Sequence, residues 1–306
     1  MENHGNVLQN KIDFLMYYTV TGANPNGGPD IMNLPRLDYE GHGEVSDVCL
    51  KRKMRNRIQD FGNEIFVQSD GRETDEFRCL ARRADEVIKK DMSVDEVQKE
   101  ACKKWFDVRA FGQVFAFKAA KSTKSKVSKK DKAQEFDADA ENAGVSIFVR
   151  GPVSVHPSKS IDPVVIRTMQ ITKSVNGDEP GKSGKSSDRM GSKSFVDFGL
   201  YVVKGAINVQ LAEKTGFTEE DAETIKKALT TLFENDVSAA RPEGSMEVCK
   251  VYWFKHNNKY GQCSTAKVHR SVKAVKKVER PTCFEDYELV YTPPVEGLDC
   301  EIIDCR

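Results

Sequence analysis

The amino-acid sequence predicts an α+β protein on a βαββαβ plan, RRM-like (ferredoxin-like), interrupted by large insertions. Three observations predict it. Residues 12–21 alternate, with Ile12, Phe14, Met16, Tyr18 and Val20 on one face, which is the period of a half-buried strand. Residues 46–61, SDVCLKRKMRNRIQDF, put Leu50, Met54, Ile58 and Phe61 on one helical arc, with Ser46 or Asp47 as N-cap and Gly62 as a stop. Further on, strand patterns at 195–203 and 246–254 flank a helix opened by Thr218-Glu-Glu-Asp221, whose buried face is Ala222, Ile225, Leu229, Leu232 and Phe233.

Taken in order, the first strand leads into residues 22–30, GANPNGGPD, a turn-dense loop in which glycine and asparagine allow close approach of backbone to a ligand. The helix at 46–61 follows. Between Lys51 and Arg57 it carries five bases (Lys51, Arg52, Lys53, Arg55, Arg57) and no acid, so i,i+4 pairs within the helix are expected not to neutralise it and its polar face to meet anions. Residues 63–107 read as a charged helical lobe with scattered apolar contacts from Val87, Ile88, Met92, Val94, Val97, Ala101 and Trp105. Residues 108–117 and 145–155 each read as a strand, the second with a bulge at Gly151-Pro152. Between them a run at 118–132 with seven lysines and one aspartate reads as a solvated loop.

Residues 156–193 read as a long hairpin around a Gly/Ser-rich tip. Met169 and Met190 fall on its opposite arms beside Arg167, Lys173, Arg189 and Lys193. Such a set can wedge an apolar side chain against a nucleobase while neighbouring bases hold phosphates. No internal repeat is present.

The chain has 306 residues, 47 basic and 47 acidic, so its net charge of zero does not by itself announce a nucleic-acid binder. Distribution says more. Residues 70–100 hold ten acids against seven bases, while residues 267–280 hold six bases and one acid. Segregated charge on a neutral chain suits a protein that touches a polyanion and other proteins. The eight cysteines show no CxxC spacing, which argues for reduced thiols and against structural zinc. No apolar run is long enough to span a bilayer and residues 1–11 lack a signal-peptide core, so a cytoplasmic protein without membrane contact is expected.

Familiar catalytic and binding signatures fail on inspection. Residues 108–117 match an RNA-stacking signature at Arg109, Phe111, Gly112 and Val114 but break it at Ala110, Gln113 and Ala116. Gly181-Lys182-Ser183 ends like a phosphate-binding loop, yet Asn176 stands where glycine is required. The five histidines lack metal-ligand spacing and no nucleophile elbow is present. Asp162 and Asp178 sit near the basic hairpin as candidates for metal binding or water activation, although single acids in loops more often serve caps and turns.

Five spaced segments together resemble one family. These are Asn24-Pro-Asn-Gly-Gly-Pro-Asp30, Ser46-Asp-Val-Cys-Leu-Lys-Arg-Lys-Met-Arg55, Asp107-Val-Arg-Ala-Phe-Gly112, Arg150-Gly-Pro-Val-Ser154 and Ala240-Arg-Pro-Glu-Gly-Ser-Met246. They resemble the repeated backbone subunit of type I-C CRISPR Cascade, a member of the Cas-seven superfamily. The likeness lapses at 118–144. The resemblance implies a single RRM-like palm across 1–306, a helical fingers insertion at 63–107 and a projecting β-hairpin thumb at 157–194. It implies a noncatalytic subunit with no cofactor and no metal. Copies would line up in a helical filament along CRISPR guide RNA, beside handle-binding and large subunits, and present the guide for pairing with target DNA. Lys51, Arg52 and Arg55 would hold guide phosphates with Asn24, Asn26 and Arg241 alongside, and Met169 or Met190 would displace a base. Phosphate contacts then position the RNA while base pairing reads sequence. Reversing Lys51 and Arg55 to glutamate is expected to remove RNA and leave a folded chain. The alternative is a metal-dependent ribonuclease cutting through Asp162 or Asp178, as type III relatives in the superfamily do.

Overall fold

The computed structural model describes residues 6–89, 92–116, 146–172 and 190–306. In chain order these form β1 (Ile12–Ala23), β2 (His42–Val45), α1 (Asp47–Asp60), α2 (Leu80–Val87), α3 (Val94–Lys104), α4 (Phe106–Phe111), β3 (Gln113–Ala116) and β4 (Ser146–Val149). There follow β5 (Val153–Val155), β6 (Ser158–Pro163), β7 (Ile166–Thr172), β8 (Met190–Ile207), α5 (Val209–Thr215), α6 (Glu219–Thr230) and β9 (Met246–Lys255). The chain closes with α7 (Thr265–His269), β10 (Val272–Lys276), β11 (Tyr287–Tyr291) and β12 (Asp299–Asp304).

A mixed α/β architecture results, dominated by one antiparallel sheet of order β12-β9-β1-β8-β6-β2. The long β8 carries three partners along its outer edge, β5 at Gly205–Ile207, β6 at Tyr201–Val202 and β7 at Met190–Val196. β1 sits between β8 and β9 and is buried on both faces rather than half-buried, because its alternation serves two cores. Phe14, Met16, Tyr18 and Val20 join Leu50, Met54 and Ile58 of α1 and Ala222, Ile225 and Leu229 of α6. On the opposite face Leu15 and Tyr17 meet Tyr252, Phe254, Val268 and Val272, so the C-terminal segment covers the side of the sheet that α1 and α6 leave open.

Helices α2 and α3 and the β3–β4 pair enclose a separate core around Phe66, Ala101, Trp105, Phe115 and Val149. Two strand expectations are corrected here. Residues 108–117 are not one strand: 106–111 form α4, and Gly112, at φ 83, turns the chain into β3. A Cβ on Gly112 would lie 2.4 Å from the Val149 carbonyl oxygen, so the turn requires glycine. Residues 145–155 split into β4, which pairs with β3, and β5, which joins the main sheet. The break at Gly151-Pro152 hands the chain from one sheet to another and is not a bulge. α5 lies in a stretch for which no helix was expected; Asn208 caps it, its Oδ1 accepting from the Leu211 amide at 2.9 Å.

Candidate nucleic-acid interface

The Gly/Asn loop, the start of α1 and residues 236–245 meet at one seam. Ser46 caps α1, accepting the Cys49 amide at 3.3 Å, and the Asn26 Oδ1 accepts the Ser46 amide at 3.0 Å. The loop therefore fixes where the helix begins. The Asn24 side chain donates to the Asn33 carbonyl at 2.6 Å, and its backbone amide donates to Ala240 O at 2.9 Å, tying the loop to the 236–245 segment. Asn24 Oδ1 is buried without a partner, as is Nε of Arg36, whose backbone amide donates to Asn26 O at 3.2 Å. Buried polar groups ordinarily find partners, so two orphans in one loop mark a place suited to a further polar contact.

The five bases of α1 do not form an open row. Lys51 pairs with Asp47 at 3.1 Å one turn back, and Arg57 pairs with Asp60 at 3.4 Å and with Glu234. Acids just outside the 51–57 window thus supply the intrahelical partners that the window lacks, which corrects the expectation that the helix cannot neutralise itself. Lys53 is 4 % exposed and paired with Asp236, whose carboxylate also meets Arg241 Nε at 3.1 Å. Burial, the largest effect, lowers the Lys53 pKa against the pull of Asp236. Lys53 thus braces α1 against the 236–241 segment, and Arg57 is tied to Glu234 of its own chain.

Arg55 Nε meets Asp107 Oδ2 at 2.9 Å, and its guanidinium sits 5.1 Å over the Phe111 ring. Asp107 also accepts the Phe66 and Val67 amides at 2.7 and 3.1 Å. A glutamate at 55 would set two carboxylates against each other in a buried place, so the expectation that a Lys51 and Arg55 double reversal leaves a folded chain is withdrawn. Arg52 differs from its neighbours. Its Nη1 donates to the Val67 carbonyl at 2.5 Å, and it has no carboxylate partner among the described residues. Burial and then the Arg55 charge disfavour its cation, which makes an added anion welcome there.

On the hairpin, β7 is exposed along nearly its whole length. Arg167 pairs with Asp197 at 3.2 Å, and Met169, 48 % exposed, stands across the ladder from Lys193. Lys173, Arg189, Asp178 and the lysine-rich run at 118–132 lie outside the described residues; of Met190, only the backbone pairing with Thr172 is described. Asp162 is engaged by Lys276 at 3.1 Å and by the Tyr287 hydroxyl at 2.9 Å. Sequence reasoning missed Arg36, Asp107 and Asp236 as members of the seam, since each acts on a side chain far along the chain or through an atom left unpaired. Among the described residues no helix is long and apolar enough to cross a membrane, and all eight cysteines are free.

A mixed α/β chain with a large antiparallel sheet, a seam of loop and basic helix, and a basic hairpin arm is a class of architecture before it is a family. The chain belongs to the CRISPR-associated protein Cas7 family, whose model matches residues 10–292. It is 28% identical over 236 residues to the CRISPR-associated protein Cas7 of Haloferax volcanii, a match spanning 75% of this chain and 66% of that relative, just under two thirds of its length. Among solved structures it is similar to a chain of a CRISPR RNA-guided surveillance complex in a pre-nicking state, at 14% identity and TM-score 0.44, over 80% of this chain and 75% of that one. A second surveillance-complex chain matches at 14% identity and TM-score 0.38, over 80% and 68%.

Proposed function

We propose that this chain is a noncatalytic, guide-RNA-binding backbone subunit of a type I-C CRISPR surveillance complex. Family membership across residues 10–292 is the observation that carries the reading. Copies of the chain assemble along CRISPR guide RNA in a helical filament, beside handle-binding and large subunits, and present its bases to target DNA in the cytoplasm. The strand order β9-β1-β8, continued by β5 and β6, with α1 and α6 packed on one face, supports an RRM-like palm. Helices α2 and α3 serve as fingers and the β7–β8 hairpin as thumb. The orphaned Asn24 and Arg36 atoms beside the start of α1 support the loop as a contact, with Lys51 and Arg52 on the helix as phosphate ligands. Arg55 and Arg241 act through Asp107 and Asp236, holding α1 in place.

The experiment is RNA content after purification of the chain with its guide. A Lys51→Glu, Arg52→Glu variant loses copurified RNA, read as a fall in the 260/280 absorbance ratio, with an unchanged far-UV spectrum. Binding by the parent is independent of guide sequence, and each neutralised phosphate of a single strand contributes about −0.7 to the slope of log K against log salt. An RNA content equal to the parent's in the folded variant removes the helix from the interface.

A further inference from the structure

A cleft between α3, β4 and α5 stands apart from the seam at α1. Along β4 the pattern alternates, Ile147 and Val149 turning into the lobe core while Phe148, and Arg150 just beyond the strand, stay exposed. Phe148 is 65% exposed, and its partner across the ladder, Val114, is 61% exposed, so the outward face of this small hairpin is an apolar shelf. Gln98 of α3 fixes one side by donating to the Phe148 carbonyl at 2.8 Å. Leu211 and Lys214 of α5 form the other side, and Cys102 and Val149 the floor, around a cavity of about 330 Å3. That volume lies at the small end of ligand sites, which run from roughly 300 to 1,000 Å3. Thr215, 7% exposed, also lines the cleft, and its hydroxyl has no partner. Arg150 and Lys214 are both exposed and carry no carboxylate partner among the described residues.

An aromatic face, two unpaired cations and an orphan hydroxyl within one cleft ask for a ligand that is flat at one end and anionic at the other. A nucleotide joins the two at fixed spacing. An acidic peptide supplies the charge without the flat face. We propose that this cleft binds one nucleotide of a single strand, its base stacked on Phe148 and its phosphate held between Arg150 and Lys214. The Thr215 hydroxyl then offers a hydrogen bond to the sugar or the base edge. Stacking on an aromatic side chain is tolerant of sequence, so the site reads strand geometry and charge. It is a second nucleic-acid contact, on different elements from α1, and stands whether or not α1 carries a guide.

The test titrates the full chain, purified with its copurifying RNA, with fluorescein-labelled oligothymidylate and, separately, oligouridylate, followed by anisotropy. The parent binds at least one of them, and the preferred oligomer distinguishes DNA from RNA as the source of the strand. Phe148→Ala weakens binding about 5- to 150-fold, the loss expected of one base–aromatic stack. Arg150→Glu with Lys214→Glu weakens it and flattens the salt slope by about 0.7, the share of the one single-strand phosphate they hold. All three side chains are exposed, so the variants fold, and their copurified RNA matches the parent's, which separates this site from the one on α1. Binding of neither oligomer by the parent overturns the proposal, as does parental affinity in both variants. So does a poly-glutamate peptide that competes as strongly as the oligomers and is indifferent to Phe148→Ala.

Discussion

Arg55 of α1 and Asp107 of α4 form an ion pair at 2.9 Å in which the carboxylate is only 1% exposed. Because Asp107 also accepts two backbone amides from the 66–67 segment, this one side chain joins the basic helix, the helical lobe and the chain between them. Removing one partner of a buried pair leaves the other charged and unsolvated, at a cost of about 3–5 kcal/mol. Asp107→Ala is expected to lose that much in urea unfolding, and Arg55→Glu to fail to accumulate as folded protein. A loss below about 1 kcal/mol for Asp107→Ala would show the pair to be solvated instead.

That pair also shows what was legible in the sequence. The span of α1 was readable because Leu50, Met54 and Ile58 repeat at helical spacing between a Ser cap and a Gly stop, all local signals. The fate of its bases was not. Asp107, Glu234 and Asp236 stand 52, 177 and 183 positions from the residues they neutralise, beyond any window of periodicity. Residues 106–111 misled for another reason: a short apolar run with Val and Phe fits either period, and the choice of helix is made by burial of Phe106, Val108 and Ala110 in two different cores. The hairpin was legible from its Gly/Ser tip and apolar arms, whereas the cleft beside Phe148 joins residues distant in sequence, Gln98 and Phe148 standing 50 positions apart.

The hydrogen bond from the Ser46 amide to Asn26 Oδ1 predicts that the loop and the helix melt together at their junction. Ser46→Ala removes the cap on the Cys49 amide and is expected to cost about 1 kcal/mol, whereas Ser46→Asn keeps a capping oxygen and costs little. Hydrogen exchange at the first turn of α1 reads the difference. Equal protection in both variants would mean that the Asn26 contact alone sets the helix start.

The Asp38 carboxyl is pulled down to about 2, chiefly by Lys159 and also by the His42 and Glu40 amides. A carboxyl whose folded value lies below its ordinary 3.8 stabilises the fold above that value, and loses the contribution as pH falls toward 2. Asp38→Asn is therefore expected to lower the melting temperature by a constant amount above about pH 4, with the gap to the parent closing as pH falls from about 4 to about 2. The effect shrinks in high salt because the Lys159 side chain is 48% exposed. A gap that stays open at pH 2 would place the contribution in the hydrogen bonds of the neutral side chain.

Asp162 is the described one of the two acids that a ribonuclease reading could use, and its two oxygens are occupied, Oδ1 by Lys276 and Oδ2 by the Tyr287 hydroxyl. Burial, and then the Asp162 carboxylate, raise the Tyr287 phenol, so it remains a donor across the physiological range. This geometry makes Asp162 the latch that holds the β10–β11 pair against β6, and a latch predicts a structural phenotype in place of a catalytic one. Asp162→Ala is expected to cost about 0.5–1.5 kcal/mol for each hydrogen bond lost and to speed hydrogen exchange across β10 and β11. Incubated with guide, complementary RNA and Mg2+, the parent and the variant are both expected to leave the RNA intact. Periodic cuts made by the parent and lost in Asp162→Asn would reverse the noncatalytic reading, because the conservative variant keeps one acceptor for Tyr287 and removes only the charge a metal ion needs.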